Sequence, residues 1–403
     1  MAAPKFDTAR HGRKGRRRTT GAVAVSLLAG VPVLGGAAAL AVATEPHAAR
    51  PAPDRPGSPR PGRFVTAVSG SGEAKQIRMY QRGKPDPVWT WNAGDAEKLL
   101  SGQDKGRKKI KDLFSCIRNG TSATEAKWAA GGKRITAILG GAAVVIDYPS
   151  KRVLFGACND TNMHSLEMLP DNKLAVATTG KTREDGVWVY DTRRKVADRP
   201  AQKMTGLPSA HALQWDQSGG TLWVAGTDNW PQTDRPVHGR LVGYAYDKSS
   251  SQPLSYDSRR DHTMRQSAAL KEEFPGWKEG PHELAAVPHQ RKLLVTTDRD
   301  VYAFDVTTGR FSYDLSSSYF KGFTSPTPTR NSHGIPRSGM KSLSLSAAGD
   351  FLYTSNDWGV DFTKEARFFD KDTKRPRASS VKLPRDIYKA RWFAETPGWP
   401  TAR

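Results

Sequence analysis

The chain has 403 residues, 37% of them hydrophobic, with 37 glycines, 27 prolines and a formal net charge of +22. So turn-rich a composition, with few long amphipathic stretches, points away from helical bundles and toward an all-β chain. The length fits two or three ordinary domains, or one fold that grows by radial repetition.

Residues 1–43 read as an export segment. They hold seven Lys/Arg and one acid, Asp7, and an uncharged apolar stretch from Gly21 to Ala43 that ends on Ala41-Val42-Ala43, an A-x-A cleavage pattern. The stretch is also long enough to span a bilayer, so 1–43 is either a signal peptide or a membrane anchor. Arg16-Arg17-Arg18-Thr19-Thr20 loosely resembles a twin-arginine signal but has threonine where a hydrophobic residue belongs, which leaves the export route open. The expected location is secreted or extracytoplasmic, with membrane contact only through this segment if it is not cleaved. Residues 44–62 hold six prolines and no apolar period, a linker with no core of its own.

Beyond residue 43 the chain keeps 55 basic against 39 acidic residues, a charge of +16. That field favours anionic partners, a polymer or a small molecule, and it equally serves solubility. No Lys/Arg run interleaved with aromatics marks a nucleic-acid face, so no specific nucleic-acid binding is expected.

Residues 63–394 carry an internal repeat. Its clearest copy runs from His164 through Ser-Leu-Glu-Met-Leu, a Pro170-Asp171 turn and Leu174-Ala-Val-Ala, and then Gly186-Val-Trp-Val-Tyr-Asp191. Copies begin at Glu125, His211, His282 and Lys341, and in all five the second strand's apolar run starts 10 or 11 residues later. Each third strand ends on an acid, Asp147, Asp191, Asp247, Asp305 or Asp370, placed to cap the following turn. Lys389-Ala-Arg-Trp-Phe393 aligns with Glu125-Ala-Lys-Trp but has no strands after it. The runs at Phe64, Gln76 and Pro87 lack an inner strand before them. Joining these pieces gives a six-bladed β-propeller closed by its two ends, with no open edge. Residues 395–403 are left as a C-terminal tail.

Two polar, partly helical insertions, 93–122 and 257–280, fall between an outer strand and the next inner strand and should cap the same face. Cys116 lies in the first and Cys158 in the equivalent connection of the next blade, an even count that suggests a disulfide in an exported chain.

The first positions of the inner strands, Glu125, His164, His211, His282, Lys341 and Lys389, would face one another at one mouth of a central channel. Glu167 and Gln214 lie three residues into their strands, and His333 and Arg337 sit in the loop before Lys341. Three imidazoles could hold one divalent metal, His164, His211 and His282 being the ligands and Glu125 a fourth ligand or a general base. The lysines speak against a cation and for a carboxylate or phosphate. A third reading is polar side chains that simply bond neighbouring loops and trapped water. No G-x-S-x-G, P-loop, H-E-x-x-H or dinucleotide motif is present.

With its basic leader, Pro/Arg linker and the stretch His164-Ser-Leu-Glu-Met-Leu-Pro-Asp171, the chain resembles uncharacterised secreted actinobacterial proteins of a WD40/YVTN-type propeller-like family of unknown function. The resemblance covers roughly 63–394 and implies a propeller outside the cytoplasm; it supplies no activity and no site residues. The Gly-His and Trp-Asp marks of WD40 repeats are absent. Two functions follow. The preferred one is a monomeric binding module for an anionic glycan, metabolite or protein at one channel mouth. The alternative is a secreted metal-assisted lyase or hydrolase acting on an acidic carbohydrate.

Overall fold

A computed structural model describes residues 62–180, 183–230, 237–264, 280–315, 317–324, 337, 339–356, 360–371 and 377–402. The export segment 1–43, the linker up to residue 61 and His333 lie outside the described residues. All described residues fall in the unit Pro53–Arg403. Among them no helix is long and apolar enough to cross a membrane.

The unit is mostly β. Four sheets follow the repeat in chain order. The first is built from Ala123–Ala129, Arg134–Leu139, Ala142–Asp147 and Val153–Cys158, with Val196–Ala197 added at its outer edge. The second has Met163–Leu169, Lys173–Thr178, Gly186–Asp191 and Gln202–Thr205. The third has Ala212–Asp216, Thr221–Thr227, Gly239–Tyr246 and Leu254–Ser255, with Asp261–Thr263 also pairing to Gly239–Tyr246. The fourth has Pro281–Ala286, Lys292–Thr297, Val301–Asp305 and Arg310–Ser312. Strands such as Ala142–Asp147 are buried on both faces, because apolar layers of neighbouring sheets press on each side. Leu166, Leu213, Trp215 and Tyr244 share one such layer.

The remaining strands differ in one respect from the sequence expectation. Hydrogen bonding joins them into a single seven-stranded sheet, so five sheets are counted where six separate blades are expected. The link is the 16-residue strand Arg377–Trp392. Its first part pairs with Thr363–Asp370, and Ile387–Trp392 then pairs antiparallel with Arg63–Val68. The residues around Lys389 are therefore the continuation of an outer strand as well as an inner strand, a double use that a short apolar run does not reveal.

The acids closing the third strands act as expected in three sheets. Asp191, Asp247 and Asp305 accept from the backbone N–H two residues on, at 3.0, 2.9 and 2.9 Å. Asp370 is instead clamped by both terminal nitrogens of Arg82. In the first insertion Ala93–Lys98 and Lys108–Arg118 are helical, the latter burying Ile110, Leu113, Phe114 and Ile117. In the second insertion, residues 265–279 lie outside the described residues. Cys116 and Cys158 are both free thiols. They lie beside each other, joined by a hydrogen bond that lowers the Cys116 pKa and raises that of Cys158.

The C-terminal tail is docked rather than loose. Trp399 is 2% exposed, and its indole N–H donates to the carbonyls of Val287 and Gln290 at 3.1 and 2.9 Å. The His289 amide donates to Pro397, and the Gly131 amide donates to the Thr401 hydroxyl. The tail thus ties the fourth sheet to the first. Trp399→Ala should cost about 3 kcal/mol of unfolding free energy, the usual loss for a buried tryptophan. Urea denaturation of the two proteins measures it, and an unchanged midpoint would show that the tail bears no load.

Candidate functional site

The edge strands of the sheets converge. Ala123–Ala129 neighbours Met163–Leu169, which neighbours Ala212–Asp216; the succession continues through Pro281–Ala286 and Met340–Leu345 to Arg377–Trp392, which touches Ala123–Ala129. Four of these strands carry a register shift at one equivalent place. The shifts fall at Ala123/Glu125, Met163/Ser165, Pro281/Glu283 and Met340/Ser342, and each leaves one residue unpaired: Thr124, His164, His282 and Lys341. Opposite Ala67, Arg377–Trp392 likewise has an extra residue at Tyr388-Lys389. Such bulges re-aim a side chain.

The bulge register moves the sequence alignment by one residue in two strands. The mate of His164 in the first sheet is Thr124, not Glu125, and its mate in the last strand is Tyr388, not Lys389. Three tiers follow along the centre. The first contains Thr124, His164, His211, His282, Lys341 and Tyr388. The second, one residue on, contains Glu125, Ser165, Ala212, Glu283, Ser342 and Lys389. The third, two residues further, contains Lys127, Glu167, Gln214, Ala285, Ser344 and Arg391, and these six line one small cavity of 80 Å³.

In the first tier the three histidines do come together. His164 stacks on His211 with ring centres 3.9 Å apart. The Tyr388 hydroxyl lies 2.8 Å from His211 Nε2 and 3.1 Å from His282 Nδ1. His282 Nε2 meets Asp298 at 3.0 Å, and Lys341 Nζ donates to the same carboxylate oxygen at 2.7 Å. Asp361 stands 3.6 Å from Lys341. This is not the expected metal set. Both nitrogens of His282 and Nε2 of His211 are engaged, and the Lys341 ammonium lies 3.1 Å from His282 Nε2, where a cation would have to bind. Among the described residues no group of His, Cys, Asp and Glu is arranged to hold a metal ion.

Nor is the tier a pocket of free cations. Asp298 balances Lys341, and burial together with neighbouring positive charge keeps the histidines neutral. Burial first, then Lys389, holds His164 at about 3. Burial and the other two imidazoles hold His211 well below its ordinary value. His282 is lowered by burial and Lys341 against the pull of Asp298. Burial and the carboxylates of Asp361 and Asp298 raise the Tyr388 phenol, so it stays protonated.

The lower tiers form one ion-pair network. Arg391 donates two hydrogen bonds to Glu125, at 2.6 and 2.8 Å, and another to Glu283. Lys389 stands 3.7 Å from each of the same two carboxylates. Burial alone would raise the Glu125 pKa, but Arg391, Lys389 and Lys127 outweigh it and set it at about 2. Glu125 is therefore a poor general base and fully committed to Arg391. Lys127 donates to Glu167 at 2.9 Å and to the Leu213 carbonyl at 2.8 Å. Gln214 lines the third-tier cavity, away from the histidines, and Ala394 together with Thr396, Trp399 and Thr401 of the tail closes that cavity. Arg337 is held by Asp300 through two hydrogen bonds, at 2.7 and 3.0 Å, a buried pair outside the tiers.

Sequence reasoning missed Tyr388, Glu283, Asp298 and Arg391. Glu283 adjoins His282 and Arg391 follows Lys389 at the two-residue strand period, a signal available in the sequence. Asp298 comes from the loop after a second strand, which no period marks.

A second feature adjoins the histidine tier. Phe362 packs on Tyr388 with ring centres 5.6 Å apart and opens into a groove of 480 Å³. Hydroxyls of Ser69, Ser71, Thr121 and Ser122 line it together with Lys364, Arg385 and Asp386. The Ser69 amide donates to Asp386 and the Gly70 amide to Thr121, both at 2.9 Å, which fixes the three walls. Lys364 and Arg385 are exposed and have no carboxylate partner among the described residues.

Residues 132–316 match a family of unknown function (DUF6528). No curated protein matches the chain in sequence. A solved structure, "Crystal Structure of Mitotic Checkpoint Complex", is similar at 14% identity over 86% of this chain and 89% of that one, with a TM-score of 0.40, a superposition too loose to speak to function.

The neutral histidines set a pH limit on the fold. An unfolded histidine takes up a proton near pH 6.5, whereas His164 stays neutral down to about 3. Stability is then full above pH 6.5 and falls as the pH drops toward 3, by at most about 1.4 kcal/mol per pH unit for each such histidine. His164→Gln should flatten the slope between pH 6.5 and 5 by roughly one proton. Urea titrations across that range measure it; a variant with the parent's slope would mean that His164 titrates normally in the fold.

Proposed function

We propose that residues 63–394 form a six-bladed β-propeller that works outside the cytoplasm as a noncatalytic binding module, holding an acidic glycan in the groove beside the histidine tier. Six edge strands in cyclic succession support the blade count, and the pairing of Ile387–Trp392 with Arg63–Val68 supports closure by the two ends. The docked tail and the filled lower tiers leave the histidine end as the approach to the centre. There the observation that carries the reading is the groove itself. Lys364 and Arg385, with no carboxylate partner among the described residues, stand with Asp386 beside four hydroxyl side chains and the Phe362 ring. Unpaired cations attract carboxylates, hydroxyls bond to sugar hydroxyls, and an aromatic face packs on a pyranose ring. Less supports the lyase or hydrolase reading: Glu125 is held by Arg391, and ring nitrogens of His211 and His282 are engaged by Tyr388 and Asp298.

The probe is polygalacturonic acid, with neutral dextran as control, measured by calorimetry on the full chain. Lys364→Glu with Arg385→Glu should weaken binding by about tenfold or more, since two exposed ion pairs of roughly 1 kcal/mol each become repulsions. Added salt should weaken the parent's binding. Equal binding by parent and variant, or equal binding of dextran, would remove the groove from the function.

In an oxidising location we read Cys116 and Cys158 as a pair poised to close. One thiolate displaces one thiol from a small-molecule disulfide, and the neighbouring cysteine then displaces the second, leaving the protein bridge and two free thiols. After treatment with glutathione disulfide, intact mass should show loss of two hydrogens and no alkylation by iodoacetamide. A persistent glutathione adduct, or two alkylated cysteines, would rule the bridge out.

A further inference from the structure

The lower edge of the unit carries another concave site, apart from the tiers and the groove. It lies between the third and fourth sheets, beside the turn before Thr221 and the turn Val306–Gly309, and has a volume of 270 Å³. Its rim holds three guanidiniums, Arg259, Arg260 and Arg291. Arg291 reaches across from the fourth sheet to bond Asp216 of the third. Arg259 is tethered by Asp257, and Arg260 stands 3.8 Å from that same carboxylate while donating to the Thr221 hydroxyl. Two carboxylates therefore serve three guanidiniums, and one positive charge is left over.

The inner wall is aromatic. His262, Trp223 and Phe304 cluster, with ring centres 6.3 Å apart for His262 and Trp223, 4.9 Å for His262 and Phe304 and 5.2 Å for Trp223 and Phe304. Trp223 is only 4% exposed. Its indole N–H is enclosed and has no acceptor among the described residues. Among the described residues the one acid on the pocket wall, Asp216, already accepts from Arg291 and from the Gly219 amide.

We propose that this pocket binds a tetrahedral oxyanion, a phosphate or sulfate group either free or carried on a small ester. Guanidiniums arriving from two sheets supply donors from several directions, which suits a group with acceptor oxygens on all sides better than a planar carboxylate. The space beyond one oxyanion leaves room for a small attached group. The site is independent of the glycan groove, and loss of either leaves the other standing.

The test uses the full chain with its tryptophans labelled with nitrogen-15, the Trp223 indole signal being assigned from Trp223→Phe. Inorganic phosphate, sulfate, glycerol 3-phosphate, acetate and chloride are titrated at matched ionic strength. Phosphate or sulfate should move the Trp223 signal saturably, chloride should not, and acetate should act far more weakly. A response to glycerol 3-phosphate alone would also support the proposal and point to an ester as the source. Arg260→Gln, at a half-exposed position, should weaken phosphate by about tenfold, the effect of one charge-assisted hydrogen bond. Calorimetry of phosphate binding gives the same comparison without signal assignment. The proposal is overturned if no oxyanion moves the signal beyond chloride, if acetate matches phosphate, or if Arg260→Gln binds as the parent does.

Discussion

The fold turns on Arg391. Six edge strands meeting at a centre bring side chains together from every direction. Polar side chains fill it, so their charges must cancel locally. One guanidinium does most of that, bonding Glu125 on one strand and Glu283 on another some way around the centre. Lys389 adds a second positive charge between the same carboxylates, and Lys127 meets Glu167. The two lower tiers contain three acids and three bases. A buried network of this kind contributes less net stability than its geometry suggests, because desolvation offsets the attraction. Removing one member is a different matter, since the charge left behind has no water to turn to. The arrangement therefore specifies which strands may sit opposite one another more than it adds free energy.

Much of the architecture was legible because the repeat is written in the strands themselves. Apolar runs, turn pairs and the closing acids recur at fixed intervals, and Asp191, Asp247 and Asp305 bond the turn backbone as their position implies. The site was legible only in outline. Aligning first residues put Glu125 beside His164, whereas the bulge pairs His164 with Thr124 and drops Glu125 one tier. A bulge adds one residue without changing residue type, so no pattern of hydrophobicity announces it. The same one-residue shift hid Tyr388 behind Lys389. The partners Asp298 and Asp361 lie outside the inner strands, where the repeat carries no information about them.

The tiers also decide what the centre can do. A general acid or base near neutral pH needs a group that titrates there. His164 is held near 3 and Glu125 near 2, and the Tyr388 phenol is pushed the other way. Each is fixed in one protonation state by burial and by its neighbours. The centre is an axle of largely matched charges, suited to holding sheets in register.

That balance has a consequence for recognition. Beyond residue 43 the chain carries 55 basic and 39 acidic residues. Since the central acids and bases cancel, with Lys341 met by Asp298, the centre contributes little to that excess of positive charge. Attraction for anions must therefore be expressed at the rims, where charge is exposed and unmatched. The groove with Lys364 and Arg385 and the cleft with Arg259, Arg260 and Arg291 are two such places, on opposite edges of the unit. A histidine-rich centre draws the eye in the sequence, but histidines kept neutral attract no anion. The residues that can do so are ordinary surface lysines and arginines, set apart by what surrounds them: hydroxyls and a phenyl ring at one edge, guanidiniums outnumbering their carboxylates at the other.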